Sequence, residues 1–156
     1  MCSSDLEQFN AEGIATERLA FFPRSGMETY LALHHQIDIC LDTFPYTGGT
    51  TTNHALWMGV PTLTRVGETS VGRGGLSQLF QLGLTDWAAD TDEAFVDIAV
   101  GICGNLSKLA QLRAQLRERL ELSPLMDGQR FAQQMESLYR QMWQRYTTST
   151  ALETAP

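Results

Sequence analysis

Two glycine-rich stretches carry the residues of this chain that could do chemistry. The first is Thr47-Gly48-Gly49-Thr50-Thr51-Thr52, preceded by Asp42 and by Phe44-Pro45-Tyr46. Paired glycines let a bulky anion approach the backbone, and hydroxyls that follow them can donate to phosphate oxygens. If the threonines open a helix, its first N–H groups lack intrahelical partners and stand at the positive end of the macrodipole. Such a loop can hold phosphate with no lysine and no metal. An ordinary Thr N-cap after a Gly turn is the competing reading. The second stretch, Gly67-Glu68-Thr69-Ser70-Val71-Gly72-Arg73-Gly74-Gly75, holds one cation, Arg73. That arginine is either an anion ligand or an unpartnered surface residue. Asp42 is a weak candidate for a catalytic base, since Asp at a strand end more often serves a turn or a cap.

The other reactive residue types point to no site. His34 and His35 are adjacent, and neighbours on a helix point in different directions, so contact with a helix C-terminus explains them better than a shared metal. Cys2, Cys40 and Cys103 are odd in number, far apart, and in no zinc spacing; Cys40, inside an apolar run, reads as a small buried hydrophobe. This pattern fits a reduced cytosol. The net charge is −7 and the pI near 4.8. Lys108 is the single lysine, and a nucleic-acid partner would need clustered basic residues. No window is apolar enough to span a membrane, and the N-terminus MCSSDLEQFN does not read as a secretory signal. The expectation is a cytoplasmic protein with neither nucleic acid nor membrane as partner.

The elements around the two loops form βαβ units. Ile37–Leu41 is a short apolar run with β-branched residues, as in a buried parallel strand. A helix follows the threonines until Gly59 and Pro61 stop it, and Pro61–Val66 reads as the next strand. Leu76–Leu82 is a helix, and 84–88 a short edge strand. Upstream, 4–12 reads as a helix capped by Ser4, 18–22 as a strand cut off by Pro23, and 28–36 as a helix. Downstream, Asp90 or Thr91 caps a helix reaching Ile102. Leu106, Leu109, Leu112, Leu116 and Leu120 stripe one face of the next. A last helix over 130–146, capped by Asp127, is expected to pack on the sheet domain. The fold class is α/β, a Rossmann-like open parallel sheet, with one domain over residues 1–147 and a disordered Thr-rich tail over 148–156.

The run FPYTGGTTTNHALWMGVPTLTRVGETSVGRGGLSQL resembles the C-terminal catalytic region of the protein O-GlcNAc transferase family, in its bacterial, Spindly-like branch. Flanking matches at Ile14–Pro23, at His35-Gln36-Ile37-Asp38-Ile39-Cys40-Leu41-Asp42, at Ser123-Pro124-Leu125-Met126-Asp127 and at Tyr139-Arg140-Gln141-Met142-Trp143 keep the family's order and spacing. The resemblance implies a GT-B glycosyltransferase, of which this chain is the later part of the nucleotide-sugar-binding half. It implies transfer of a sugar to Ser or Thr of a protein acceptor, GlcNAc from UDP-GlcNAc in the first instance, with UDP-glucose and GDP-fucose as the alternative donors. No cofactor or metal is implied. Gly48, Gly49, Thr50 and Thr51 would then hold the diphosphate, and Thr47 and Arg73 would belong to the same nucleotide-sugar site.

Three positions depart from that family's pattern. His54 stands where an Asp or Glu usually accepts hydrogen bonds from both ribose hydroxyls, whereas a neutral His offers one acceptor nitrogen. Met27 matches a Lys of animal members, and Tyr30 a His. Two functions stay open: the donor-binding part of a transferase, or a non-catalytic nucleotide-sugar-binding or interaction module. The former implies an N-terminal GT-B half or a TPR-containing protein as partner.

Overall fold

The computed structural model describes residues 3–153. Helix α1 (Ser3–Ala11) starts one residue before the expected cap, so Ser4 lies in its first turn, and the chain turns at Gly13. The strand expected over 18–22 does not form. Thr16–Arg18 makes one 3₁₀ turn and residues 19–26 carry no ladder. Leu19 does adopt extended dihedrals (φ −110°, ψ 129°), but no neighbouring strand takes up the backbone groups there, and Phe22 lies exposed. Apolar β-formers make a strand only where a partner strand accepts their hydrogen bonds.

Helix α2 (Met27–Leu33) is shorter than expected because His34–Gln36 tightens into a 3₁₀ turn. The buried His34 ring explains the stop: Nδ1 lies 3.1 Å from the Tyr30 carbonyl oxygen and 3.2 Å from that of Leu31, close enough to cap the last turn. His35 is exposed, so the two histidines play separate parts.

Three parallel strands follow in the order β1 (Cys40–Asp42), β2 (Thr62–Arg65) and β3 (Ala88–Ala89). Cys40 faces Thr62 and Asp42 faces Thr64, and Thr64 in turn faces Ala88. Helix α3 (Thr50–Trp57) connects β1 to β2, and α4 (Gly74–Gln81) connects β2 to β3. This is the open parallel α/β sheet that the alternation of elements implies. Two hydrogen bonds close α3: Gly59 donates to the Leu56 carbonyl (3.1 Å) and Val60 to that of Ala55 (2.8 Å). That closure needs the positive φ (75°) which Gly59 supplies.

Helix α5 (Asp92–Cys103) is capped by Thr91, whose hydroxyl oxygen accepts from the Ala94 N–H at 3.1 Å. Helix α6 (Leu106–Glu121) sends Leu116 and Leu120 into one cluster with Leu56, Leu79, Leu82 and Leu84. Leu109 is buried as well, whereas Leu106, in the first turn, is 69% exposed and falls outside the stripe. The core thus joins α3 and α4 to α6.

Helix α7 (Gly128–Glu153) begins with Asp127 accepting the Arg130 N–H at 2.9 Å, as expected. It differs from expectation in two ways. It runs on through 148–153, where a disordered tail was the expectation; 154–156 lie outside the described residues. The Thr147 and Thr148 hydroxyls donate to the Gln144 carbonyl, at 3.0 and 2.8 Å, so these polar side chains are satisfied within the helix. Nor does α7 lie on the sheet domain: Phe131, Leu138, Met142 and Trp143 are each at least half exposed. An apolar stripe on a helix requires a partner surface but does not say where that surface is.

Candidate functional site

Strand β1 ends at Asp42, and the chain turns through a cis Phe44–Pro45 peptide to Gly49, the residue that precedes α3. Gly49 occupies the cap position and no side chain caps the helix, so the threonines are not N-caps. The first N–H at this end with a backbone partner is that of Asn53, which donates to the Gly49 carbonyl at 3.1 Å. The N–H groups of Thr50, Thr51 and Thr52 find none, and Thr50 and Thr51 are exposed. Unpartnered donors therefore gather at the carboxyl end of β1, where open α/β sheets bind ligands.

Other residues expected in this loop are engaged within the protein. Thr47 is buried; its hydroxyl donates to the Val71 carbonyl (2.8 Å) and accepts the Gly75 N–H (3.3 Å), tying the first glycine loop to the second. The Gly48 N–H donates to Asp42 Oδ1 at 2.6 Å, and the Thr64 hydroxyl donates to Asp42 Oδ2 at 3.0 Å. Each carboxylate oxygen of Asp42, the weak candidate base, thus accepts one hydrogen bond from within the protein. Sequence reading also missed Gln78 of α4, whose Nε2 donates to the Gly49 carbonyl at 2.9 Å while its Oε1 is buried without a partner. The one available signal was its place a single turn after Gly75, on the helix that the second loop opens.

Arg73 lies on the other side of that loop. Its guanidinium donates to the Gly67 carbonyl at 3.3 Å and borders an open cleft of about 480 Å³ with Phe44, Pro45, Arg65 and Glu68. Arg65, also missed, pairs with Asp92 at 2.7 Å and lies 6.0 Å from the Phe44 ring centre. A second cavity of about 520 Å³, between α5 and α6, shares no residue with either loop. No three His, Cys, Asp or Glu side chains among the described residues are grouped to hold a metal.

Tyr30 and His54, far apart in sequence, meet edge to face with ring centres 5.6 Å apart; Tyr30 meets His34 in the same way at 5.1 Å. His54 is half-buried and its Nδ1 has no partner. Met27, at the start of α2, is exposed. Burial, and then the neighbouring Cys40, raise the Tyr30 phenol above its usual range, so it remains an O–H donor near neutral pH. Burial, and then Asp42, push up the Cys40 thiol, which is half-buried rather than fully so. Cys40 therefore lacks the thiolate character of a nucleophile.

Residues 4–135 match the family described as Glycosyl transferase family 41. A Petunia hybrida protein described as "Probable UDP-N-acetylglucosamine--peptide N-acetylglucosaminyltransferase SPINDLY" is 41% identical over 144 residues, 92% of this chain and 15% of its own length. A Caenorhabditis elegans UDP-N-acetylglucosamine--peptide N-acetylglucosaminyltransferase is 32% identical over 141 residues, 90% of this chain and 12% of its own. A solved mutant of Thermobaculum terrenum O-GlcNAc transferase superposes with a TM-score of 0.88 at 36% identity, over 95% of this chain and 28% of that one. The chain thus spans under a third of each of these proteins, over a segment that holds both glycine loops, and it belongs to glycosyl transferase family 41.

Proposed function

We propose that this chain is the donor-binding part of a GT-B protein O-GlcNAc transferase, which moves GlcNAc from UDP-GlcNAc to Ser or Thr of a protein acceptor. The observation that carries the reading is the open N-terminus of α3 at the end of β1, in a chain of this family. The diphosphate would take the N–H groups and hydroxyls of Thr50 and Thr51. The helix dipole would offset leaving-group charge in place of a divalent cation. Tyr30 and His54 stand together as the candidate nucleoside end, with His54 toward the ribose. The acceptor, and the base that takes its hydroxyl proton, would come from an N-terminal GT-B half or a TPR-containing partner, in the cytoplasm.

Calorimetry with UDP, with and without EDTA, tests the reading: binding is expected in both, and strict dependence on a divalent ion would refute it. Thr50→Val and Gly49→Leu are expected to weaken UDP about tenfold or more, since a hydrogen bond to a charged acceptor is worth roughly 1.5–3 kcal/mol. Both should fold, because Thr50 is exposed and a Cβ at Gly49 meets nothing within 4 Å. Unchanged affinity in both would move the phosphates elsewhere.

His54→Glu tests the nucleoside end. A carboxylate accepts from both ribose hydroxyls, so UDP should bind about tenfold more tightly, again from one added hydrogen bond. Weaker binding in a folded variant would make His54 a packing partner of Tyr30 and nothing more.

A further inference from the structure

We propose that Asp42 is a positioning residue for the donor phosphates: through Thr64 it fixes the first glycine loop to the sheet and aims the open end of α3 at the ligand. The inference rests on the donor-binding reading above. Asp42 closes β1, and Thr64 faces it in register on β2. One carboxylate oxygen takes the Thr64 hydroxyl and the other takes the Gly48 N–H at 2.6 Å, the short distance of a charge-assisted bond. Thr64 is fully buried, so the anchor cannot move without disturbing the sheet. The second loop closes on the same pair: a Cβ at Gly75 would stand 2.4 Å from Thr64 Oγ1 and 2.7 Å from Asp42 Oδ2.

The arrangement has a consequence for the ligand. The Gly48 N–H is withdrawn from the phosphate site, and the loop is held beside the first N–H groups of α3, which have no backbone partner. A free carboxylate beneath a diphosphate would only repel it. The position therefore needs the two hydrogen bonds, to Gly48 and to Thr64, and not the negative charge. Asparagine meets that need, because its carbonyl oxygen can accept the Gly48 N–H while its amide donates to the Thr64 hydroxyl.

The test titrates UDP into the wild-type chain and into Asp42→Ala, Asp42→Asn and Thr64→Val, and follows exchange of the Gly48 amide by NMR. Asp42→Ala should bind about tenfold more weakly, and its Gly48 amide should exchange at least about tenfold faster. Asp42→Asn should recover affinity to within about threefold of wild type and restore amide protection. Thr64→Val should shift both readouts in the direction of alanine. The proposal is overturned if Asp42→Ala leaves Gly48 exchange unchanged, or if Asp42→Asn is as impaired as alanine, which would make the charge the active feature. Should Asp42→Ala fail to fold, Thr64→Val decides: no change in either readout overturns the clamp. Wild-type chain that binds no UDP would refute the donor-binding reading, and Gly48 exchange would still test the clamp.

Discussion

Incubated with labelled UDP-GlcNAc and a Ser/Thr peptide, the 156-residue chain by itself should transfer no sugar above background. Transfer requires the donor and the acceptor hydroxyl to be held together in line. Orientation of that kind is worth roughly 7–11 kcal/mol of barrier, which is the difference between turnover and none. The proposed donor end lies at α3, and the Asp42 carboxylate beside it accepts hydrogen bonds from Gly48 and Thr64. The matched segment is 28% of the solved O-GlcNAc transferase chain. Among the described residues β1 pairs with β2 alone, and Leu41 on that strand is 54% exposed. Supplying an N-terminal half from the family in the same tube should restore incorporation. Robust transfer by the chain alone would show that the acceptor machinery lies within these residues.

Gly75→Ala should lower stability by about 3 kcal/mol, since overpacking a buried site costs roughly 1–3 kcal/mol and a charged hydrogen bond is lost besides. The added methyl would fall 2.4 Å from Thr64 Oγ1, 2.7 Å from Asp42 Oδ2 and 2.8 Å from Thr64 Cβ. None of these atoms ends a flexible chain, and the Thr64 side chain is closed in by the sheet. A melting point lower by on the order of 10 °C is the expected reading for a chain of this length. Gly101→Ala is the matched control. Gly101 is exposed in α5 with nothing within 4 Å, so alanine should hold or raise stability by up to about 1 kcal/mol. Equal melting points for the two variants would mean that the second loop yields at Gly75 and that the contact with Asp42 is loose.

Much of the local structure was legible because it is written in short-range chemistry. Gly59 and Pro61 end α3, Thr91 caps α5 and Asp127 caps α7, each through geometry that spans a few residues. The alternation of apolar runs and glycine loops likewise determined a parallel α/β unit with both loops at strand ends. The ordered match to the O-GlcNAc transferase family came from the same line of residues.

What the tertiary structure alone decided is where each polar group finds its partner. Thr47 and Asp42 read in sequence as a nucleotide-sugar ligand and a weak candidate base, and contacts to Val71, Gly75 and Thr64, 22 to 28 positions away, engage both within the protein. Gln78 and Arg65 carry no motif, and only the packing of α4 and β2 beside the first loop brings them to the site. Residues 18–22 have strand-forming side chains but no neighbour, and the α7 stripe has no covering surface among the described residues. Propensity and pattern act along the chain over one or two turns. A ladder, a buried hydrogen bond or a covered apolar face needs a second partner, and the fold alone determines which one arrives.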